Sequence, residues 1–254
     1  MIYLFLSGAS AFFGMSSGLG PTTLLRPLLD AVSPLTPASA ASLAALCTLC
    51  AALVSAFFAL GKPVPLLQEE LLLLAAGAFI GGVLGDLAAS RFHAMLGSDG
   101  VRLLQNALLF TIIALPWLYF SRLSQIIRPL AINRLFSLPA ALFSGLFGSF
   151  LAFGAEPLTL MLYFILFDAE NDEASFAALT VALFSMAGKI ITLFIRHRMS
   201  LPDANLLIFL LPGALIGTLL VMIPGLYRPS KESGQTLLRL SLFTSALNMA
   251  GAIL

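Results

Sequence analysis

Charged side chains are scarce along the whole chain. The 254 residues include 13 Lys and Arg and 12 Asp and Glu, so that only 10% of the chain is charged. A soluble globular domain carries about 25% charged residues, and a chain with this deficit lacks the polar side chains needed to cover a core in water. The 59% hydrophobic composition and the mean hydropathy of +1.02 therefore predict an all-α integral membrane protein.

Other absences argue against nucleic-acid binding, metal chemistry and catalysis. The net charge of +1 provides no basic field, so we expect no nucleic-acid partner. Cys47 and Cys50 form a single CxxC inside an apolar run, with no second CxxC to complete a metal site, so packing is favoured over metal or redox chemistry. The chain has no HExxH, GxSxG or GxxxxGK[ST] pattern. We therefore expect neither an enzyme nor an ATPase, and no cofactor or metal.

Six apolar stretches are long enough to cross a membrane, for which a helix needs about 20 residues. Two further regions, 2–32 and 137–168, are interrupted near the middle by glycine and proline, which disfavour a continuous helix. We predict that each of these regions forms two half-helices that meet at a non-helical turn. The six uninterrupted candidates are 36–61, 67–93, 101–120, 174–195, 203–226 and 236–254.

The same order of elements occurs twice. A broken pair followed by three long helices fills residues 1–121 and again 137–254, and a basic linker at 122–136 separates these two sets. A duplicated set with paired broken helices is typical of secondary transporters, whose binding sites lie at the breaks. Glycines four residues apart also occur in both sets, and this spacing lets helices approach closely. They are Gly77, Gly81 and Gly85 in the first set and Gly213 and Gly217 in the second.

The relative direction of the two sets depends on the broken pairs. If each pair is a re-entrant hairpin, the two sets are inverted, and seven Lys and Arg residues lie on one side of the membrane and four on the other. If each pair crosses the membrane once, the two sets are parallel, and six cationic residues lie on one side and five on the other. The positive-inside rule favours inversion, with the linker in the cytoplasm and the N-terminus outside a bacterial inner membrane. The seven are Lys62, Arg122, Arg128, Arg134, Arg228, Lys231 and Arg239, and the four are Arg91, Arg102, Arg196 and Arg198.

The first junction, GLGPTTLLRP at 18–27, has the composition of an anion site. A helix N-terminus leaves about four N–H groups unpaired and carries roughly half a positive charge, which suits a small oxyanion. Proline fits the first turn of the second half-helix, glycine lets a ligand approach the backbone, and threonine adds hydroxyl donors. The predicted binding residues are Gly18, Gly20, Thr22 and Thr23. The alternative is a helix break that serves folding alone.

Arg26 follows this junction by about one helical turn. It either pairs with Asp30 as an i,i+4 bridge or supplies positive charge to the vestibule, and we favour the second interpretation.

The second junction, FGAEPLT at 153–159, repeats the order of glycine and proline and adds Glu156, with Gly154 and Thr159 beside it. An ionisable residue at membrane depth is costly and usually has a partner or a task, and the same holds for Lys189. Either the two residues pair, or Lys189 attracts the anion while Glu156 carries a proton. The alternative is that Lys189 snorkels to the interface and Glu156 caps a helix.

These segments resemble the TauE/SafE family of sulfite and organosulfonate exporters. The stretch from Gly18 to Pro27 is similar to the family's first glycine-rich motif, which leads to a proline. Residues 152–157 are similar to its second motif, with Ala152, Ala155 and Glu156 where glycines are usual. The segment SFAALTVALFSMAGKIITLF resembles the family's serine-containing helix that ends in a lysine, and SLAALCTLCAALVSA resembles the corresponding first-repeat helix. The resemblance adds Ser42, Ser185 and Lys189 to the predicted binding residues.

Membership of this family would imply proton-coupled export of sulfite, a sulfonate or a related small sulfur anion across the lipid bilayer. Glu156, which stands where the family has glycine, is the candidate proton carrier. Import or channel activity for a sulfur compound, and a non-transporting scaffold, are the alternatives. The sequence leaves the oligomeric state open, a homodimer included.

Overall fold

The structure, a computed structural model, describes residues 1–17, 19–20, 22–32, 35–59, 66–196, 204–223 and 231–253. Every regular element in these ranges is helical, as the sequence predicts. Two short 3-10 helices, Leu123–Gln125 and Arg134–Phe136, lie in the linker. The α-helices are α1 (Ile2–Ser16), α2 (Thr22–Val32), α3 (Pro37–Ala59), α4 (Gln68–Ser121), α5 (Ser137–Leu151), α6 (Glu156–Phe167), α7 (Asn171–Ile195), α8 (Ala204–Met222) and α9 (Lys231–Ile253).

Apolar helices long enough to cross a membrane number four in the part of the chain that the structure describes. The α1 and α6 helices are apolar but shorter, as expected for half-helices. The four candidate spans are Pro37–Ala59, Gln68–Ser121, Arg134–Leu151 and Asn171–Ile195.

The α4 helix is two helices joined at one residue. Gly97 has φ 70° and ψ −175°, which no helical residue adopts, and glycine reaches this region without a Cβ penalty. We call residues 68–96 α4a and residues 98–121 α4b. They correspond to the predicted spans 67–93 and 101–120, but the connection is a single glycine rather than the seven-residue loop that those bounds imply.

Both predicted breaks are present. The α1 helix ends at Ser16 and α2 begins at Thr22, with Gly20 between them at φ 83°. Between α5 and α6, Ala152, Gly154 and Ala155 all have positive φ, at 53°, 80° and 58°. Alanine rarely adopts this region, so the surrounding structure must hold the second turn in place. Gly18, part of the predicted first junction, lies outside the described residues.

The second broken pair folds back on itself. In the linker, the Leu130 N–H donates to the Ile165 carbonyl at 2.8 Å and the Ile132 N–H donates to the Leu166 carbonyl at 2.8 Å. These linker residues shortly precede α5, whereas the two carbonyls belong to the last turn of α6. The end of α6 therefore lies beside the start of α5, and the two half-helices form a hairpin.

Arg134 joins the starts of three helices at this end of the molecule, which we call the linker end. Its guanidinium donates to Glu70 of α4a and to Glu173 of α7, at 3.2 Å in each case. Glu70 is 3% exposed and also accepts a hydrogen bond of 3.1 Å from the Tyr163 hydroxyl. The guanidinium lies 5.7 Å from the centre of the Phe167 ring, at the end of α6. Helices α4a, α5 and α7 therefore all begin at the linker end.

The α3 helix begins at the opposite end, which we call the Gly97 end because α4a ends and α4b begins there. Arg102, near the start of α4b, donates to the Leu35 carbonyl at 3.0 Å, just before α3. Arg26 of α2 donates to the Pro37 carbonyl, at the first residue of α3, at 3.4 Å. The α3 helix and its sequence counterpart α7 therefore begin at opposite ends of the molecule.

The glycine stripes let helices approach closely, as predicted, and the helices that they face belong to the broken pairs. The α4a helix lies against α5, and α8 lies against α1, so the stripe of each set contacts the first half-helix of the other set. A Cβ placed on any of these glycines would approach a backbone oxygen of the facing helix too closely. The distances from such a Cβ would be 2.4 Å from Gly77 to Leu138, 2.4 Å from Gly81 to Leu142, 2.3 Å from Gly85 to Leu146, 2.4 Å from Gly213 to Leu4 and 2.2 Å from Gly217 to Gly8.

Candidate functional site

A cavity of about 130 Å³ opens at the Gly97 end between α3, α4a, α4b and α7. Its wall combines apolar residues with several hydrogen-bonding groups and one ion pair, which is the usual make-up of a small-molecule site. The polar lining residues are Ser42, Asp86, Ser90, His93, Gln105 and Lys189. Ser42 and Lys189 belong to the predicted site, and the other four do not.

Lys189 supplies the cation of this cavity. It is 2% exposed, and its Nζ donates to Asp86 Oδ1 at 3.2 Å and to the Ser149 carbonyl at 2.7 Å. An ammonium group has three donors, so one N–H remains for a further acceptor. Asp86 is 3% exposed, and its Oδ2 has no hydrogen-bond partner in the described part of the chain. Each member of the pair therefore retains one hydrogen-bonding group without a partner in the described residues, an N–H of Lys189 and Oδ2 of Asp86.

The position of Lys189 follows from the break in α5. A helix C-terminus leaves unpaired carbonyls and a partial negative charge. Lys189 caps the carbonyl of Ser149, and Gln105 Nε2 caps the carbonyl of Phe150 at 2.9 Å. The Ser149 hydroxyl donates to the Gly82 carbonyl at 2.6 Å, near the middle of α4a. The half-helix therefore ends at mid-depth in the bundle, and side chains from other helices satisfy it there.

Arg26 connects this region to the first broken pair. Its Nε contacts Asp30 Oδ2 at 3.1 Å, and its Nη2 donates to Gln105 Oε1 at 3.3 Å. Arg26 is 2% exposed and is not a lining residue of the cavity. The i,i+4 bridge that we weighed is therefore the observed arrangement, and a supply of positive charge from Arg26 to the vestibule stays a prediction. The bridge neutralises Arg26, while Gln105 links it to the end of α5.

The structure excludes two of the alternatives that we weighed for Lys189. Lys189 pairs with Asp86, so the pairing of Glu156 with Lys189 does not occur, and its burial rules out snorkelling to the interface. Sequence reasoning gave Asp86 no function. The sequence feature that could have indicated a role for Asp86 is its position directly after the glycine stripe that ends at Gly85. This position places Asp86 at the edge of a helix face that packs against other helices.

Glu156 lies where the two chain breaks meet. It is 4% exposed, and its Oε2 has no hydrogen-bond partner in the described ranges. A Cβ placed on Gly20 would lie 2.1 Å from Glu156 Cδ, and one on Gly154 would lie 2.3 Å from Glu156 Oε2. Glu156 is the first residue of α6, and its carboxyl group accepts a hydrogen bond from its own backbone N–H at this helix start. The carboxyl group is therefore enclosed by glycines from both broken pairs.

The hydroxyl groups of the predicted site bond to the backbone of their own segments. Their protons are engaged in local hydrogen bonds, so each hydroxyl must rotate before it can donate to a ligand. Ser42 donates to Ala38 at 2.9 Å, Thr159 to Ala155 at 3.0 Å, Ser185 to Ala182 at 3.3 Å, and Thr23 to Leu19. Thr22 begins α2, and its side chain lies outside the described residues. Of the predicted residues, Ser42 and Lys189 line the cavity, and Gly20, Gly154 and Glu156 meet at a separate junction.

Comparison with known families gives a decisive result. The sequence model of the sulfite exporter TauE/SafE family matches residues 3–249. The chain belongs to the TauE/SafE family. Comparison with curated proteins and with solved structures finds no match. TauE/SafE proteins are membrane transporters, and this membership together with the apolar helices makes the chain a multi-pass membrane protein related to sulfite exporters.

The TauE/SafE match covers every element that contributes to the cavity and to the junction. Among the described residues, no three His, Cys, Asp or Glu side chains come together as metal ligands do. Near the cavity and the junction of this TauE/SafE protein, charge is instead organised as the pairs Lys189–Asp86 and Arg26–Asp30, and the carboxyl group of Glu156 belongs to no ion pair in the described ranges.

Proposed function

We propose that this protein is a gradient-driven, proton-coupled secondary transporter that exports a small sulfur oxyanion, such as sulfite or an organosulfonate, across the bacterial inner membrane. The observation that supports this most directly is the buried ammonium group of Lys189 in a polar cavity at mid-depth in the bundle. A buried charge in a membrane protein is costly and marks an ion pathway.

In this proposal the anion binds Lys189 by competing with Asp86. Both would accept hydrogen bonds from the same ammonium group, whose third N–H is available. Two anions in one cavity repel each other, so the substrate binds best when Asp86 is displaced from the ammonium group. Ser42, Ser90 and Gln105 line the same cavity and provide hydrogen-bonding groups for oxyanion oxygens.

Glu156 is the proton carrier that we propose. Its carboxyl group is buried, and no Lys, Arg or His forms an ion pair with it among the described residues. An ionisable side chain at membrane depth marks a possible proton relay, and a side chain that exchanges a proton there can link anion movement to a proton gradient. Its position between the two broken pairs places it where movement of one set against the other would alter its surroundings.

We further propose that the two sets are inverted repeats that rock around these sites. The opposite starting ends of α3 and α7 support this arrangement, because equivalent helices of inverted repeats run in opposite directions. The glycine stripe of each set packs on the first half-helix of the other set, α4a on α5 and α8 on α1, and this reciprocal packing also supports two equivalent sets.

The test is transport by purified protein in liposomes. Sulfite release is measured with and without a proton gradient, for the native protein, for Lys189→Met and for Arg128→Ala, which removes an exposed linker cation. We expect Lys189→Met to lower the rate by about tenfold or more, because a hydrogen bond to a charged group is worth roughly 1.5–3 kcal/mol. The control should keep the native rate.

Native flux in Lys189→Met would overturn the proposed site. A flux that does not depend on the proton gradient and does not saturate with sulfite concentration would instead indicate a channel. Uptake in the direction opposite to export would indicate an importer. Absence of flux for every sulfur oxyanion tested, in protein that is folded, would favour the scaffold.

A further inference from the structure

The side-chain amide of Gln105 is held in one orientation by two neighbours of opposite hydrogen-bonding type. Arg26 Nη2 donates to Gln105 Oε1 at 3.3 Å, and Gln105 Nε2 donates to the Phe150 carbonyl at 2.9 Å. A guanidinium group donates and does not accept, whereas a carbonyl accepts and does not donate. The reversed amide would place donor against donor at Arg26 and acceptor against acceptor at Phe150, so both neighbours favour the observed orientation.

This orientation leaves one amide donor available at the cavity. Gln105 is 6% exposed, and its side chain lines the cavity. Its Nε2 carries two N–H groups, and the Phe150 carbonyl is the single acceptor that Nε2 has among the residues that the structure describes. The second N–H therefore remains for a ligand, while Oε1, which would repel an anion, faces Arg26.

Gln105 and Lys189 approach the same helix end. The Phe150 carbonyl, which Gln105 caps, directly follows the Ser149 carbonyl, which accepts from Lys189 Nζ at 2.7 Å. Both side chains line the cavity, and each keeps an N–H without an acceptor in the described ranges. An anion with at least two oxygens, such as sulfite or a sulfonate, can accept from both donors at once.

Arg26 is kept away from the ligand by its own partners. It is 2% exposed and does not line the cavity. Its Nε pairs with Asp30 at 3.1 Å, and its Nη1 donates to the Pro37 carbonyl at 3.4 Å. Among the described polar side chains of the cavity wall, Gln105 is the one that Arg26 contacts by a hydrogen bond. Any effect of Arg26 on the ligand by contact therefore passes through Gln105.

We propose that Gln105 donates its second amide N–H to the anion bound at Lys189, and that Arg26 is a positioning residue that holds the amide in the donating orientation. The identity of the anion rests on the proposed function, whereas the orientation of the amide follows from its two neighbours alone. Arg26 thereby acts through a hydrogen bond rather than by attracting the anion with its own charge.

The first test measures the dissociation constant of sulfite by titration calorimetry of the purified protein in detergent at constant ionic strength. Gln105→Met keeps a side chain of similar length but has no N–H. We expect this variant to bind sulfite about tenfold more weakly or worse, because the anion loses one hydrogen bond that its charge strengthens. Gln105→Glu, which replaces the donor by an acceptor, serves if the methionine variant does not fold. A native dissociation constant in the folded Gln105 variant would overturn the proposal.

A double-mutant cycle tests whether Arg26 acts through Gln105. Arg26→Met is combined with Asp30→Asn, so that neither charge remains buried alone. We expect this paired variant to bind sulfite more weakly than the native protein, and to add no further loss to Gln105→Met, because the amide that Arg26 holds is then already absent. Additive losses would show that Arg26 attracts the anion by its charge, and would overturn the positioning role. A native dissociation constant in the paired variant would overturn it as well.

Asp30→Asn alone is the matched control, because it retains Arg26 and its bond to Gln105. It should not weaken sulfite binding, and a loss equal to that of the paired variant would contradict the positioning role. Arg26→Lys replaces the paired variant if that protein does not fold. It keeps a cation beside Asp30 but lacks the planar fork that reaches Asp30 and Gln105 together, so the same loss and the same lack of additivity are expected.

Flux in liposomes separates the two proposals. Absence of sulfite flux in the native protein, with the binding results as expected, would refute the proposed function and leave the roles of Gln105 and Arg26 standing. Sulfite flux in the native protein, together with a native dissociation constant in Gln105→Met, would refute these two roles alone. Folded native protein that binds no sulfite would overturn both roles, whatever the flux.

Discussion

At the scale of single residues, burial makes Lys189 and Asp86 depend on each other. Each is at most 3% exposed, and they are 3.2 Å apart. Breaking a buried pair by removing one partner costs about 3–5 kcal/mol, because the other charge is left uncompensated. Replacing both partners by uncharged groups of similar volume removes that penalty.

We therefore predict that Lys189→Met and Asp86→Asn each lower the free energy of unfolding by about 3–5 kcal/mol, and that the double variant recovers most of the loss. Melting temperature in one fixed detergent measures this, with Arg128→Ala as the exposed control. Transport should not return in the double variant, since it lacks the ammonium group. Additive losses in the double variant would show that the two side chains are not energetically coupled.

Glu156 and Lys189 were predictable from sequence as ionisable residues of the site, but the partner of Lys189 was not. Glu156 and Lys189 are conspicuous because each interrupts an apolar run, and the structure buries both. Lys189 pairs with a residue 103 positions away, and such a contact depends on which faces of α4a and α7 meet. The local pair of Arg26 with Asp30 was within reach of sequence reasoning, because i,i+4 spacing alone brings the two side chains together.

At the scale of helices, the glycine stripes determine how closely the two sets approach. A Cβ on Gly81 would lie 2.4 Å from the Leu142 carbonyl oxygen, and one on Gly217 would lie 2.2 Å from that of Gly8. The facing atoms belong to helix backbone and cannot rotate away. Gly234 of α9 is different, because a Cβ there would meet nothing closer than 3.8 Å.

We predict that Gly81→Ala and Gly217→Ala each destabilise the protein by about 1–3 kcal/mol through overpacking. Gly234→Ala, the matched helical control, should be neutral or stabilising by up to about 1 kcal/mol, because alanine favours a helix. Melting temperatures of the three variants provide the comparison. Equal effects at all three positions would mean that helix propensity rather than interhelical distance determines the result.

Arg134 also holds helices together, at their starts, by ion pairs rather than by close packing. Replacing it by Gln leaves Glu70, which is 3% exposed, with the Tyr163 hydroxyl as a remaining partner. We predict that Arg134→Gln lowers the melting temperature, that the added change Glu70→Gln restores part of it, and that Arg122→Gln in the exposed linker has little effect. Thermal unfolding of the four proteins measures this. No recovery in the double variant would show that Glu70 does not depend on Arg134.

Helix positions followed from the sequence because length and hydropathy depend on local composition. The predicted span 174–195 lies within α7, and both breaks occur at the glycine and proline positions that predicted them. The joining of α4a to α4b did not follow, because a lone Gly97 gives no sign of how sharply two helices meet. The hairpin of α5 and α6 is the arrangement that the charge count favoured, whereas the linker hydrogen bonds to Ile165 and Leu166 that hold it are not encoded in composition.

At the scale of the whole molecule, the two ends differ in a way that bears on orientation. The linker end carries the exposed cations Arg122 and Arg128, while the Gly97 end carries the mouth of the cavity. If the linker is cytoplasmic, as the positive-inside rule indicates, the cavity of this conformation opens toward the outside. An exporter in this state would be releasing its anion.

Cysteine labelling tests this orientation directly. Cys47 and Cys50, the native cysteines, are replaced by alanine, and Ser124→Cys or Ser98→Cys is then introduced singly at exposed positions of the linker end and the Gly97 end. We predict that a membrane-impermeant maleimide labels Ser98→Cys in intact spheroplasts and Ser124→Cys only in inside-out vesicles. Reversed labelling would make the observed cavity inward-open. Labelling of both positions from one side would contradict the membrane crossing of α4b, and with it the proposed inverted arrangement of the two sets.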